Sequence, residues 1–69
     1  MVAITPAMLA VLRETSDTFW ERSYAHAGTV DALERRGLLE AEYRGWFARE
    51  LYVRRTDAGR AYLASLGGK

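Results

Sequence analysis

Residues 29–40, Thr29-Val30-Asp31-Ala32-Leu33-Glu34-Arg35-Arg36-Gly37-Leu38-Leu39-Glu40, constrain the fold more than any other stretch. Val30 and Leu33 stand three apart with Gly37 one turn later, which makes one helical face apolar. Arg35 and Arg36 fall in the last turn, where positive charge meets the negative end of the helix dipole. Gly37 supplies the left-handed backbone that ends a helix, and Leu38 and Leu39 begin extended chain. A short amphipathic helix that runs straight into a strand is therefore expected, with the rest of the chain supporting it.

The size of the chain sets how that support is built. Sixty-nine residues make a single domain, 1–69, near the lower limit at which a hydrophobic core suffices. With no cysteine there is no disulfide, and no Cys/His cluster suggests structural zinc. The apolar fraction of 49% argues for a folded chain rather than a disordered one. So small a core gains from pairing with a second copy or another partner. No basic-plus-apolar leader is seen and no apolar run approaches the roughly 20 residues that span a bilayer, so a soluble, cytoplasmic chain with no membrane partner is expected.

Elsewhere the pattern reads in order. Thr5-Pro6 is a helix start, and Met8, Val11 and Leu12 form a stripe within a helix over residues 6–14, after an apolar lead-in over residues 1–4. Thr15-Ser16-Asp17 breaks it. Residues 18–21 suit one short strand or an irregular segment, with Phe19 and Trp20 pointing to opposite sides and at least one entering the core. Residues 38–43 read as a strand, 44–46 as a turn and 47–55 as the returning strand, with Leu51 and Val53 on one face and Tyr52 and Arg54 on the other. Glu40 and Glu42 alternate outward on a solvated face. Thr56-Asp57 caps a last helix with an apolar stripe of Gly59, Tyr62, Leu63 and Leu66, ended by Gly67-Gly68, with Lys69 as a tail.

Net charge is only +1, but it is uneven. Residues 1–34 hold two arginines against five acids, a sum of −3, and residues 35–69 hold eight basic residues against four acids, a sum of +4. An acidic back and a basic front are one reading, an uneven solvated surface the other.

Two motifs around the hairpin carry a resemblance. Leu33-Glu34-Arg35-Arg36-Gly37-Leu38-Leu39 before it, and Thr56-Asp57-Ala58-Gly59-Arg60-Ala61 after it, resemble the winged helix-turn-helix DNA-binding domains of MarR-type and related bacterial and phage regulators. The resemblance covers roughly residues 26–66. It implies an α+β winged-helix domain: helix, short strand or loop, recognition helix at about 28–37, β-hairpin wing at about 38–55, and C-terminal helix. It also implies transcription regulation through double-stranded DNA, bound as a homodimer, with nucleoid association. A helix in the major groove and an arginine-bearing hairpin against the backbone or minor groove suit that task. Carried over by position, His26, Thr29, Ala32, Arg35 and Arg36 fall on or near the exposed face of the recognition helix. Arg44 and Arg49 flank the wing tip, Trp46 sits at it, and Arg54 adds a phosphate contact.

The chain also differs from that pattern. Residues 23–28 leave room for about one turn where a second helix normally precedes the recognition helix. Asp31 and Glu34 put negative charge on the helix that would face phosphates, and Arg55 stands where leucine is usual before the threonine. The plainer roles are dipole compensation for Arg35 and Arg36, pairing with Asp31 or Glu40, close helix packing at Gly59, and Trp46 folded over the hairpin. The alternative function is a winged-helix protein–protein interaction module, for example a phage protein binding a host factor, with Trp20 and Trp46 as exposed aromatics. His26 has no second metal ligand or nucleophile partner, and no phosphate-cradling motif occurs, so no catalytic residue, metal or cofactor is assigned and no enzyme is expected.

Overall fold

The computed structural model describes residues 4–67, an α+β domain of three helices and a three-stranded antiparallel sheet. The expected lead-in at residues 1–3, Gly68 and the Lys69 tail lie outside the described residues. Helix α1 spans Pro6–Glu14, with Thr5 Oγ1 accepting the Met8 N–H at 3.2 Å and Pro6 in the first turn, where its missing donor costs nothing. At its other end the Thr15 hydroxyl, buried, donates to the Val11 carbonyl at 2.7 Å.

Segment 17–19 bends because Ser16 Oγ accepts from both the Thr18 and Phe19 amides, at 3.0 and 3.1 Å. That local turn leaves only Glu21–Arg22 as strand β1. Neither aromatic of this segment enters the core: Phe19 is exposed, and Trp20 lies half-buried outside the core cluster. The expectation that one would go inside is corrected by the bend, which carries both rings away from the helices.

Helix α2 spans Ala27–Arg35, starting one residue earlier and ending two earlier than the expected 28–37. Arg36 and Gly37 form its terminating turn. Gly37 has φ of 75°, its N–H reaches the Glu34 carbonyl at 2.9 Å, and the Leu38 N–H reaches Leu33 at 3.1 Å. These two bonds satisfy carbonyls that the helix end leaves open, the reason a glycine is required there. Because the Leu38 amide is held in that motif, strand β2 begins one residue later, at Leu39–Arg44.

Strand β3 is Glu50–Arg55, paired with β2 from Leu39↔Arg55 to Arg44↔Glu50 and with β1 at Glu21↔Val53 and Arg22↔Tyr52, giving the order β1-β3-β2. The hairpin loop is residues 45–49, longer than the expected turn at 44–46, so Phe47, Ala48 and Arg49 belong to the loop rather than to the strand. Gly45 sets this, with φ of 105° in a position where a Cβ would fall on the Ala48 carbonyl oxygen. Helix α3, Asp57–Gly67, starts on the Thr56 hydroxyl, which accepts the Gly59 N–H at 3.0 Å.

One cluster holds these elements together. Met8 and Leu12 of α1, Val30 and Leu33 of α2, Leu39 of β2 and Val53 of β3 are buried, with Ala41, Leu51, Tyr62 and Leu63 packed around them. The α3 stripe is shorter than its spacing suggests: Gly59 is buried, Tyr62 and Leu63 are half-buried, and Leu66 is exposed.

Candidate nucleic-acid interface

Two exposed features follow from the helix-to-hairpin connection: the outer side of α2, whose terminating turn holds Gly37, and the hairpin loop at the far end of β2. On α2 the side turned from the core carries Ala27, Gly28, Asp31, Glu34 and Arg35. Thr29 and Ala32 are half-buried shoulders of the apolar stripe, and Ala32 packs against the core. His26 caps the helix, its Nδ1 accepting the Gly28 N–H at 3.0 Å. A histidine in that role escapes the usual reading of a helix start, which looks for Ser, Thr, Asp or Asn.

The two arginines of the helix end behave differently. Arg36 turns back and donates from Nη1 to the Ala32 carbonyl at 2.7 Å, so it caps the helix. Arg35 is 79% exposed and pairs with Asp31 at 3.0 Å one turn earlier. Such an exposed pair contributes about 0.3–0.5 kcal/mol, little enough for a phosphate to displace the aspartate.

On the outer face of the sheet, arginines and carboxylates alternate in register. Arg54 meets Glu40 at 2.9 Å, Arg44 meets Glu42 at 2.9 Å, and Arg22 meets Glu50 at 3.1 Å. Trp20 lies between Arg44 and Arg54, their guanidinium carbons 5.1 and 4.9 Å from its ring, and Arg44 also covers Tyr52 at 4.8 Å. Each such contact contributes about 0.5–1 kcal/mol at an exposed site. Trp20 thus acts as the spacer of a cation–aromatic stack, and Arg54 is committed to that stack and to Glu40.

Pairing also answers the question of a basic front. Six of the nine arginines, Arg22, Arg35, Arg44, Arg54, Arg55 and Arg60, stand within 4 Å of a carboxylate. Sequence halves of opposite charge fold so that their charges interleave, and no continuous positive face results among the described residues.

At the hairpin loop the surroundings change. Trp46 is 96% and Phe47 90% exposed, packed only edge-on against each other at 6.0 Å between centroids. Trp46 therefore does not fold over the hairpin. Arg49 faces the Tyr43 ring at 5.7 Å and has no carboxylate partner among the described residues. Phe47 is absent from the residues the resemblance assigns; the run Arg44-Gly45-Trp46-Phe47-Ala48-Arg49, a glycine followed by two aromatics between arginines, is the signal that marks it.

Arg55 holds the base of this assembly. Its side chain, 16% exposed, donates from Nη1 to the Leu12 carbonyl at the end of α1 and pairs with Asp17 at 3.5 Å, while its buried Nε has no partner. Partial burial pushes the Asp17 carboxyl up. The Thr18 hydroxyl, the Arg55 hydrogen bond, and the charges of Arg55 and Arg60 outweigh that and hold it below its ordinary value of 3.8. Arg55 thereby ties the hairpin to the carbonyl end of α1.

Among the described residues no helix is long and apolar enough to cross a membrane, and no group of three potential metal-binding side chains occurs. Comparison of the chain with family models, with curated proteins and with solved structures finds no match.

Proposed function

We propose that the chain is a small winged-helix regulator that binds double-stranded DNA through α2 and the hairpin. The observation that carries this reading is the glycine-ended turn at Gly37, which runs the helix with its exposed side directly into strand β2 of the hairpin, whose far end is the arginine-flanked loop. Arg35 is in an exposed pair that a phosphate can replace, and Arg49 is free of any carboxylate among the described residues, whereas Arg44 is held, like Arg54, by a carboxylate and the Trp20 stack. The absence of a second helix between β1 and α2 leaves the hairpin a larger share of the contact than a two-helix motif would.

Titration of labelled duplex at several salt concentrations tests it. With Arg35 and Arg49 on phosphates, log affinity falls against log salt with a slope of roughly −2 per protomer. Arg35→Ala and Arg49→Ala each reduce that slope by about one, while Arg36→Ala, which removes a helix cap, leaves the slope unchanged. No binding at low salt, where non-specific contacts are strongest, refutes the proposal.

A second reading, a protein–protein interaction module, draws on different observations. Asp31 and Glu34 make the exposed side of α2 acidic, most arginines are already paired, and Trp46 with Phe47 forms an apolar protrusion. Loss of DNA binding together with capture of a host protein that depends on Trp46 selects this reading.

A further inference from the structure

An open groove of about 550 Å³ runs between α1 and the segment that joins β1 to α2. Its walls include Ala7 and Val11 on one side and Tyr24 and Ala25 on the other, with exposed Glu14 and Glu21 among the lining residues. Neither glutamate has an ion-pair partner among the described residues, and Glu14 stands at the carbonyl end of α1, where the helix dipole disfavours negative charge. The groove has mixed polar and apolar walls; its charged lining residues are Glu14, Glu21 and Arg22, and Arg22 is engaged by Glu50 at 3.1 Å, which leaves the two glutamates in excess. Its volume falls within the roughly 300–1,000 Å³ of binding clefts in general.

The hairpin loop has the complementary chemistry: two aromatic rings almost wholly in water and the cationic Arg49 without a carboxylate. We infer that the occupant of the groove is the Trp46–Phe47 tip of a second copy of this chain, with Arg49 drawn to Glu14 and Glu21. A two-fold arrangement lets each copy give one tip and one groove. Aromatic side chains bury about 150–250 Å² each, so four rings and the walls they cover account for about 1,200–2,000 Å², the size of a standard specific interface. A chain with only six buried hydrophobic side chains in its core, among the described residues, gains stability from such an exchange. A seated tip is withdrawn from any duplex, so self-association and wing contact with DNA alternate.

Sedimentation equilibrium of the DNA-free chain tests the inference, and its outcome does not depend on whether DNA is bound. The wild type forms a concentration-dependent dimer. Trp46→Ala with Phe47→Ala, at positions too exposed to support the fold, keeps the wild-type circular dichroism and weakens association at least about 30-fold. Arg49→Glu weakens it on the order of tenfold, and Glu14→Arg with Glu21→Arg in the same chain restores it. A wild type that stays monomeric up to about 1 mM overturns the inference. So does a tip variant that associates like the wild type, an Arg49→Glu variant with unchanged association, or a triple variant no tighter than Arg49→Glu alone.

Discussion

Gly59 decides how closely α3 approaches the turn that links α2 to the hairpin, and Gly59→Ala measures that contact. A Cβ at this position would overlap the Leu38 carbonyl oxygen and lie 2.8 Å from Arg55 Cγ and 3.1 Å from the Leu38 carbonyl carbon. The Arg55 side chain can shift, but Leu38 is backbone. It is held on one side by its N–H to Leu33 at 3.1 Å and on the other by the Thr56 N–H to its carbonyl at 3.3 Å. Relief therefore requires the first turn of α3 to move away, at the expense of the Thr56 bond. Overpacking of this kind costs about 1–3 kcal/mol and the lost hydrogen bond about 0.5–1.5 kcal/mol. Alanine returns about 1 kcal/mol of helix propensity. The clash wins, and a net loss of about 0.5–3.5 kcal/mol is expected, a fall in Tm of roughly 2–28 °C for a domain of this length. Urea and thermal denaturation followed by circular dichroism read it out. Ala64→Gly, on the exposed side of the same helix, should lose about 1 kcal/mol from propensity alone and serves as the control. A Gly59→Ala protein as stable as the wild type, or more so, refutes the close approach of α3 to Leu38.

Two further substitutions probe the helix starts and the charge network. His26→Ala removes the acceptor for the Gly28 amide and should cost about 0.5–2 kcal/mol in denaturant unfolding, while His26→Ser restores the cap; equal losses in both variants would show that the imidazole acts otherwise. Asp17 is held below its ordinary carboxylate value in the folded chain, so it binds its proton more weakly there than when unfolded. Its contribution is complete above about pH 4 to 5 and disappears as pH falls through the depressed native value. The stability gap between wild type and Asp17→Asn should accordingly be constant near neutral pH and close as pH falls below 3.8 through the depressed native value. A gap unchanged across that range would exclude ionisation of Asp17 as its source.

Local chemistry determined much of this protein from the sequence alone. Thr5-Pro6, Gly37 and Thr56 act through bonds to residues within a few positions, so the starts of α1 and α3 and the end of α2 are legible without the fold. Alternation in β3 puts Val53 inside and Arg54 outside, because side-chain direction in a strand follows from the pleat. What only the tertiary structure decided depends on residues distant in the chain. Arg55 finds the Leu12 carbonyl 43 positions away, and Trp20 finds its place between arginines of two strands. The charge imbalance between the halves is offset where folding brings Asp17 to Arg55 and Arg60, while within the second half β-pairing sets Arg54 beside Glu40. The candidate site divides along the same line. The resemblance puts His26, Thr29, Ala32, Arg35 and Arg36 on or near one exposed face, yet the packing of α2 against α1 and the sheet turns Thr29 and Ala32 partly inward and leaves Asp31, Glu34 and Arg35 outside. Helical period gives the relative angles of side chains, but the neighbouring elements choose which angle faces water. At the hairpin, likewise, two aromatics in sequence are compatible with core or surface, and Gly45 at positive φ, by lengthening the loop, sets both Trp46 and Phe47 in solvent.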